Sequence, residues 1–221
     1  MGGGTLVQPA DCLYPRPSII KIPLKTVVIV GTSLPFSGVV ICTIISLYTA
    51  FDEVTESVCG VSNFVPSISA VTGITPQLYF WRYAIGFHSA PRLLLAMVYY
   101  NYHRLFLTRL SCPMAFDILI KLALFFNLVD VITFVGVAFV SNRENFPVHE
   151  RMFIVFLFAS SLYMLTVLII HRILNAHYLL PGRMQYSFTL KRTFFLLTMF
   201  FISVLIYYFY YHRFKCFPNG K

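Results

Sequence analysis

Residues 26–50 are 25 consecutive positions without one charged side chain. At 1.5 Å per residue such a run, coiled as a helix, outreaches the ~30 Å of hydrocarbon in a bilayer. Residues 152–170 and 193–211 are equally free of charge, and both are near the length needed to cross. Two further apolar segments carry ionisable groups: 78–100 holds Arg82, His88 and Arg92, and 118–140 holds Lys121 and Asp130. None alternates apolar with polar residues as a barrel strand would. The expected fold class is therefore all-α: a polytopic transmembrane helical bundle, one domain over 1–221. Its five spans are expected near 26–50, 78–102, 117–140, 151–172 and 192–212. Composition points the same way. The chain is 58% hydrophobic and 11% charged, with mean hydropathy +0.75, where soluble domains carry about 25% charged residues.

The first apolar run is too long for a cleavable signal, and Leu6 breaks the myristoylation pattern. Basic residues near span ends set the orientation. With a cytosolic N-terminus, nine of them (Arg16, Lys21, Lys25, Arg104, Arg109, Arg172, Arg183, Lys191, Arg192) lie on the cytosolic side. Arg143 and Arg151 stand against them on the far side, and the basic tail residues Arg213, Lys215 and Lys221 are a minority vote for the reverse. The 51–77 loop then faces away from the cytosol. Gly60, Pro66, Gly73 and Pro76 punctuate it, which predicts irregular chain with at most a short strand. Cys59 in this loop and Cys216 in the tail are the one cysteine pair on the oxidising side. A bridge between them would enclose about 157 residues and contribute on the order of 5 kcal/mol. The alternative is two free thiols.

The second span holds the groups that cost most in lipid. Arg82 lies near its non-cytosolic end, His88 about 9 Å deeper and Arg92 about 15 Å deep. His88 and Arg92 share a face at i,i+4, with Pro91 between them. Asp130, in a span running the other way, falls at the depth of Arg92, with Asn127 one turn away. An Arg92–Asp130 ion pair supported by Asn127 would bury both charges together. The 141–151 loop adds Glu144, His149 and Glu150 at the mouth of this polar core. A His beside a carboxylate can move protons near neutral pH. HExxH, CxxC, GxSxG and phosphate-loop motifs are absent from the sequence, so metal sites, serine hydrolases and nucleotide chemistry lack support. The net charge of +9 is spread along membrane flanks, which argues against nucleic acid as a partner.

The run Cys59-Gly-Val-Ser-Asn-Phe-Val-Pro-Ser-Ile-Ser69, then Pro76-Gln77, Trp81-Arg82 and Ile85-Gly-Phe-His-Ser-Ala-Pro-Arg92, resembles the post-GPI-attachment to proteins factor 2 family. Glu144-Asn-Phe146, His149-Glu150 and Phe153-Ile-Val-Phe156 are similar to it too. The resemblance covers roughly residues 21–216. It implies a multi-pass Golgi membrane protein that remodels the lipid of glycosylphosphatidylinositol (GPI) anchors. A lyso-GPI intermediate would be reacylated at sn-2 with a saturated fatty chain. It implies a sixth helix beyond the position of Cys216, which this sequence does not contain. Partners would be membrane lipids, lyso-GPI or the GPI-anchored protein, and remodelling enzymes. No cofactor is implied, and the acyl donor is left open. Against that chemistry, His88, His149, Glu150 and Asp130 are the candidate catalytic residues. Arg82, Arg92, Asn127 and Trp81 are the candidates for binding substrate. The alternatives are a non-enzymatic lipid-binding or scaffold protein serving a separate acyltransferase, and a membrane modulator of the related autophagy-modulator type.

Overall fold

The computed structural model describes residues 22–56, 65–107, 110, 112–178 and 182–215, the side chains of 212, 213 and 215 excepted. Cys59 and Cys216 lie outside the described residues, so the expected bridge does too. Among the described residues there are seven helices: α1 (Leu24–Thr49), α2 (Phe51–Thr55), α3 (Ile68–Thr72), α4 (Gln77–Arg104), α5 (Pro113–Phe139), α6 (Phe146–His177) and α7 (Gly182–Lys215).

Five of these are long. Four of them, α1, α5, α6 and α7, are both long and apolar enough to cross a membrane. The fold is thus a helical membrane bundle, but the expected count of five spans is matched by only four helices on those two measures. The exception is α4. Its 28 residues suffice in length, but Arg82, His88 and Arg92 are among the polar groups that lower its apolarity. It is the inner helix, packed between α1 and α5.

Small residues bring α1 against α4. Gly31, Gly38, Cys42 and Ser46 are its buried positions, spaced so as to fall along one face. A Cβ on Gly38 would stand 3.2 Å from the Cβ of Ala84 and 3.4 Å from the Trp81 ring. Close backbone approach at such positions is the ordinary route to helix association in lipid, where apolar burial gives no drive of its own. α5 and α6 form the most extensive helix pair, and α7 packs mainly on α6. No residue in the central apolar stretch of α7 is buried.

The 51–77 segment differs from the irregular chain expected there. Its described parts form α2 and α3, each five residues long. Val54, Val71 and Ile74 make a small core beneath them. The Ser46 hydroxyl donates to Val71 O at 2.9 Å, tying the end of α1 to α3. Arg143 pairs with Glu53, joining the α5–α6 connection to α2. These elements make a cap over one end of the bundle.

Candidate functional site

Polar side chains gather at two levels, one inside the bundle and one under the cap. At the inner level Arg92 of α4 pairs with Asp130 of α5. The Asp130 side chain is 2% exposed and that of Arg92 26%. Ser160 of α6 stands against the same carboxylate. One turn above Arg92, His88 is buried and its Nδ1 lies 2.7 Å from Gly31 O. A carbonyl only accepts, so Nδ1 carries the proton and His88 ties α4 to α1. Its ring meets Phe134 edge-on at 6.0 Å. Trp81 is buried among Cys42, Ile85 and Ala138, where it wedges α1, α4 and α5 together. Asn127 is also buried, but it lines a separate cavity of about 220 Å³ that reaches His103 and Lys191 toward the other end of the bundle.

At the cap level Arg82 donates through one nitrogen to Glu144 at 2.5 Å and to Phe139 O at 2.6 Å. Glu144 also accepts from the Ser141 backbone N–H at 2.9 Å. That bond first, and the Arg82 guanidinium second, hold its carboxyl below the usual carboxylate range. Arg82 heads an open groove of about 560 Å³ on the outer face of α4, floored by Tyr83, Phe87 and Phe139.

His149 occupies the first turn of α6. That helix starts at Phe146 because the Asn145 side chain accepts from Val148 N at 3.2 Å, with a proline in the first turn. His149 Nδ1 is 2.7 Å from Val140 O and Nε2 is 3.0 Å from Ser69 Oγ. The Val140 carbonyl fixes the tautomer: Nδ1 donates to it, Nε2 keeps its lone pair, and the Ser69 hydroxyl donates to Nε2. Ser69, His149, Glu150 and Asn142 share the polar end of a groove of about 430 Å³. Apolar side chains of α6 and α7, including Phe153, Leu157, Leu205 and Phe209, form its walls. That volume is within the ~300–1,000 Å³ usual for ligand pockets.

The structure therefore brings His149 and Glu150 into one groove, and Arg92, Asp130 and His88 into another cluster. Among the described residues the two clusters line no common groove. Sequence reasoning missed two participants. Ser69 closes the run Cys59–Ser69, but no role could be read for it: it lies 80 positions from His149, in the five-residue α3, too short to show a helical period. Lys191 reaches His171 Nε2 at 2.9 Å across α7 and α6. Among the described residues no group of three or more His, Cys, Asp or Glu is gathered to hold a metal ion.

The Frag1/DRAM/Sfk1/Cwh43P N-terminal domain matches residues 23–220. A Drosophila melanogaster protein named post-GPI attachment to proteins factor 2-like is 39% identical over 191 residues, 85% of this chain and 58% of its own length. The Danio rerio protein named acyltransferase PGAP2 is 32% identical over 147 residues, 66% of this chain and 62% of its own length. Its Xenopus tropicalis namesake is 33% identical over 192 residues, 86% of this chain and 75% of its own length. The chain thus spans less than two thirds of the first two relatives. No solved structure matches.

Proposed function

The chain belongs to the Frag1/DRAM/Sfk1/Cwh43P family, beside proteins named post-GPI attachment to proteins factor 2, and on that premise we propose that it remodels the lipid of GPI anchors. It acts in the Golgi membrane with its N-terminus in the cytosol and its cap in the lumen, the whole chain forming one transmembrane domain. Its reaction is reacylation of a lyso-GPI intermediate with a saturated chain at sn-2.

The observation that carries this reading is the Ser69–His149 contact at the polar head of an apolar groove. The acceptor, a glycerol hydroxyl, lies in a bilayer where headgroups meet acyl chains. His149, in the first turn of α6 under the cap, stands at that level. The Arg92–Asp130 pair lies ten residues along α4 from Arg82, about 15 Å deeper. His149 Nε2 takes the acceptor's proton, the freed oxygen attacks the acyl carbonyl of the donor, and the bond from that carbonyl to the donor's carrier group breaks, the carrier leaving with the proton from His149. The Asn142 amide supplies N–H donors to the oxyanion that forms, and Glu150 lines the entry. Arg82 holds the phosphate of a lipid lying along the α4 groove. The inner cluster of Arg92, Asp130 and His88, with Trp81 beside it, fixes α4 against α1 and α5 so that Arg82 meets Phe139 and Glu144. Asn127 marks a second, deeper cavity for a chain.

The test is reconstitution of the purified chain in liposomes with lyso-GPI and a radiolabelled saturated acyl donor. Wild type should move label onto lyso-GPI, and His149→Ala should slow that by ~100-fold or more while still binding lyso-GPI. The groove also suits a protein that only holds lipid for a separate acyltransferase. Under that reading the purified chain alone moves no label, and in cells His149→Ala leaves remodelling unchanged while groove-filling substitutions such as Leu157→Trp impair it.

A further inference from the structure

We propose that Ser69 itself carries the acyl group, as a serine ester loaded from a glycerophospholipid of the surrounding leaflet. The inference rests on the acyl-transfer reading above and adds to it a nucleophile and a donor class.

Four observations converge on Ser69. First, its hydroxyl already donates to the lone pair of an imidazole whose other nitrogen is fixed by a carbonyl, the relation by which a histidine activates a serine. Second, this use of a hydroxyl is not the usual one in this chain. Ser33, Ser37, Ser89, Ser161 and Ser203 each send theirs to a carbonyl of their own helix. Third, Ser69 is held in place. Ser67 caps α3 through Ala70 N at 3.1 Å, and Gly73 lets Asn142 and the Ser69 carbonyl approach so closely that a Cβ there would stand 2.5 Å and 2.7 Å from them. Fourth, the groove beside it is walled by apolar residues of α6 and of α7. Ile206 and Phe209 are themselves 60% and 48% exposed, so a bilayer lipid can enter sideways without leaving the membrane. Among the described residues the buried Asn142 amide oxygen has no partner, which leaves that amide free to turn its N–H donors toward the groove.

The chemistry balances without an activated donor, because one carboxylic ester is exchanged for another. In the first half, Ser69 Oγ gives its proton to His149 Nε2 and attacks the acyl carbonyl carbon of the phospholipid. The ester bond to glycerol breaks, and the departing oxygen takes the proton back, leaving a lysophospholipid and acyl-Ser69. In the second half, the lyso-GPI hydroxyl gives its proton to His149 and attacks the same carbonyl. Ser69 Oγ leaves with that proton, and the acyl chain is on the anchor.

The test uses the purified full chain in liposomes of phosphatidylcholine whose saturated acyl chain bears an alkyne tag. Before lyso-GPI is added, wild type should carry tag on the Ser69 peptide, stable to neutral hydroxylamine and removed by alkali. Tag should be at least tenfold lower in Ser69→Ala and His149→Ala, and adding lyso-GPI should chase it from wild type onto the anchor lipid. Ser69→Cys, which keeps the groove intact, should carry tag that neutral hydroxylamine now removes. Three results overturn the carrier role: an untagged wild type, tag that lyso-GPI does not discharge, or Ser69→Ala transferring at the wild-type rate. If transfer to lyso-GPI continues in any of these cases and depends on His149, the acyl-transfer reading stands without the carrier. If wild type transfers nothing at all, both fall.

Discussion

Asp130 and Arg92 face different environments, and the difference sets what each substitution does. The Asp130 side chain is 2% exposed and that of Arg92 26%. Arg92→Ala strands a carboxylate inside the bundle and should cost about 3–5 kcal/mol. Asp130→Ala leaves a long cation that can reach a more polar level, so it should cost less. Arg92→Ala combined with Asp130→Asn removes both charges and should recover most of the loss. Thermal melts in detergent check the order, and equal losses in the two single variants would contradict it. Under the cap, Glu144 titrates below the usual carboxylate range because Ser141 N–H and Arg82 favour its charged form. A carboxyl depressed in the folded state stabilises fully above its unfolded value, and that contribution is lost as pH falls through the folded value. Glu144→Gln should therefore lower Tm at neutral pH, modestly because the group is half-exposed. In acid the two proteins should melt together. A Tm difference that persists in acid would assign the effect to packing.

At the scale of elements, two glycines govern how parts meet. Gly38→Val presses a branched side chain against Ala84 and Trp81 and should cost ~1–3 kcal/mol by forcing α1 from α4. Gly73→Ala acts differently, since its new Cβ meets the Ser69 carbonyl and Asn142. It should lower acyl transfer well before it lowers bundle stability, read as a drop in rate at nearly constant Tm. What the sequence made legible follows the same division. Arg92 and Asp130 pair on matched depth and opposite charge, because charges in lipid have few places to go. His149 and Glu150 were flagged by their place at a span end. The starts of α6 and α7 lie outside what the span estimate addresses, because charge limits a span and not a helix. Both helices run on through Glu150, Arg151, Lys191 and Arg192, since leaving the hydrocarbon does not end a helix. The helices of the cap are illegible because glycine and proline mark bends, and α2 and α3 are short enough to fit before and between them. The role of Ser69 is illegible for a related reason, in that its partner is chosen by the fold and not by spacing.

Seen whole, the molecule is a bundle with one worked end. Arg82, Glu144, Ser69, His149 and the Glu53–Arg143 tie all sit under or beside the cap. The opposite end carries Lys25, Arg104, Arg172, Arg183 and Arg192, and it is the end proposed to face the cytosol. An epitope tag on the N-terminus should react with antibody once the plasma membrane alone is permeabilised. Reaction only after the Golgi is opened would invert the assignment and put the cap in the cytosol, away from any luminal anchor. The central claim, that His149 beneath this cap serves acyl transfer to the anchor lipid, is tested most directly by mass spectrometry of GPI anchors. The cells would hold this chain, wild type or His149→Ala at equal expression, as their only copy. Wild type should restore saturated sn-2 chains, and the variant should leave lyso-GPI or unsaturated species. Normal saturated anchors from His149→Ala cells would contradict the account.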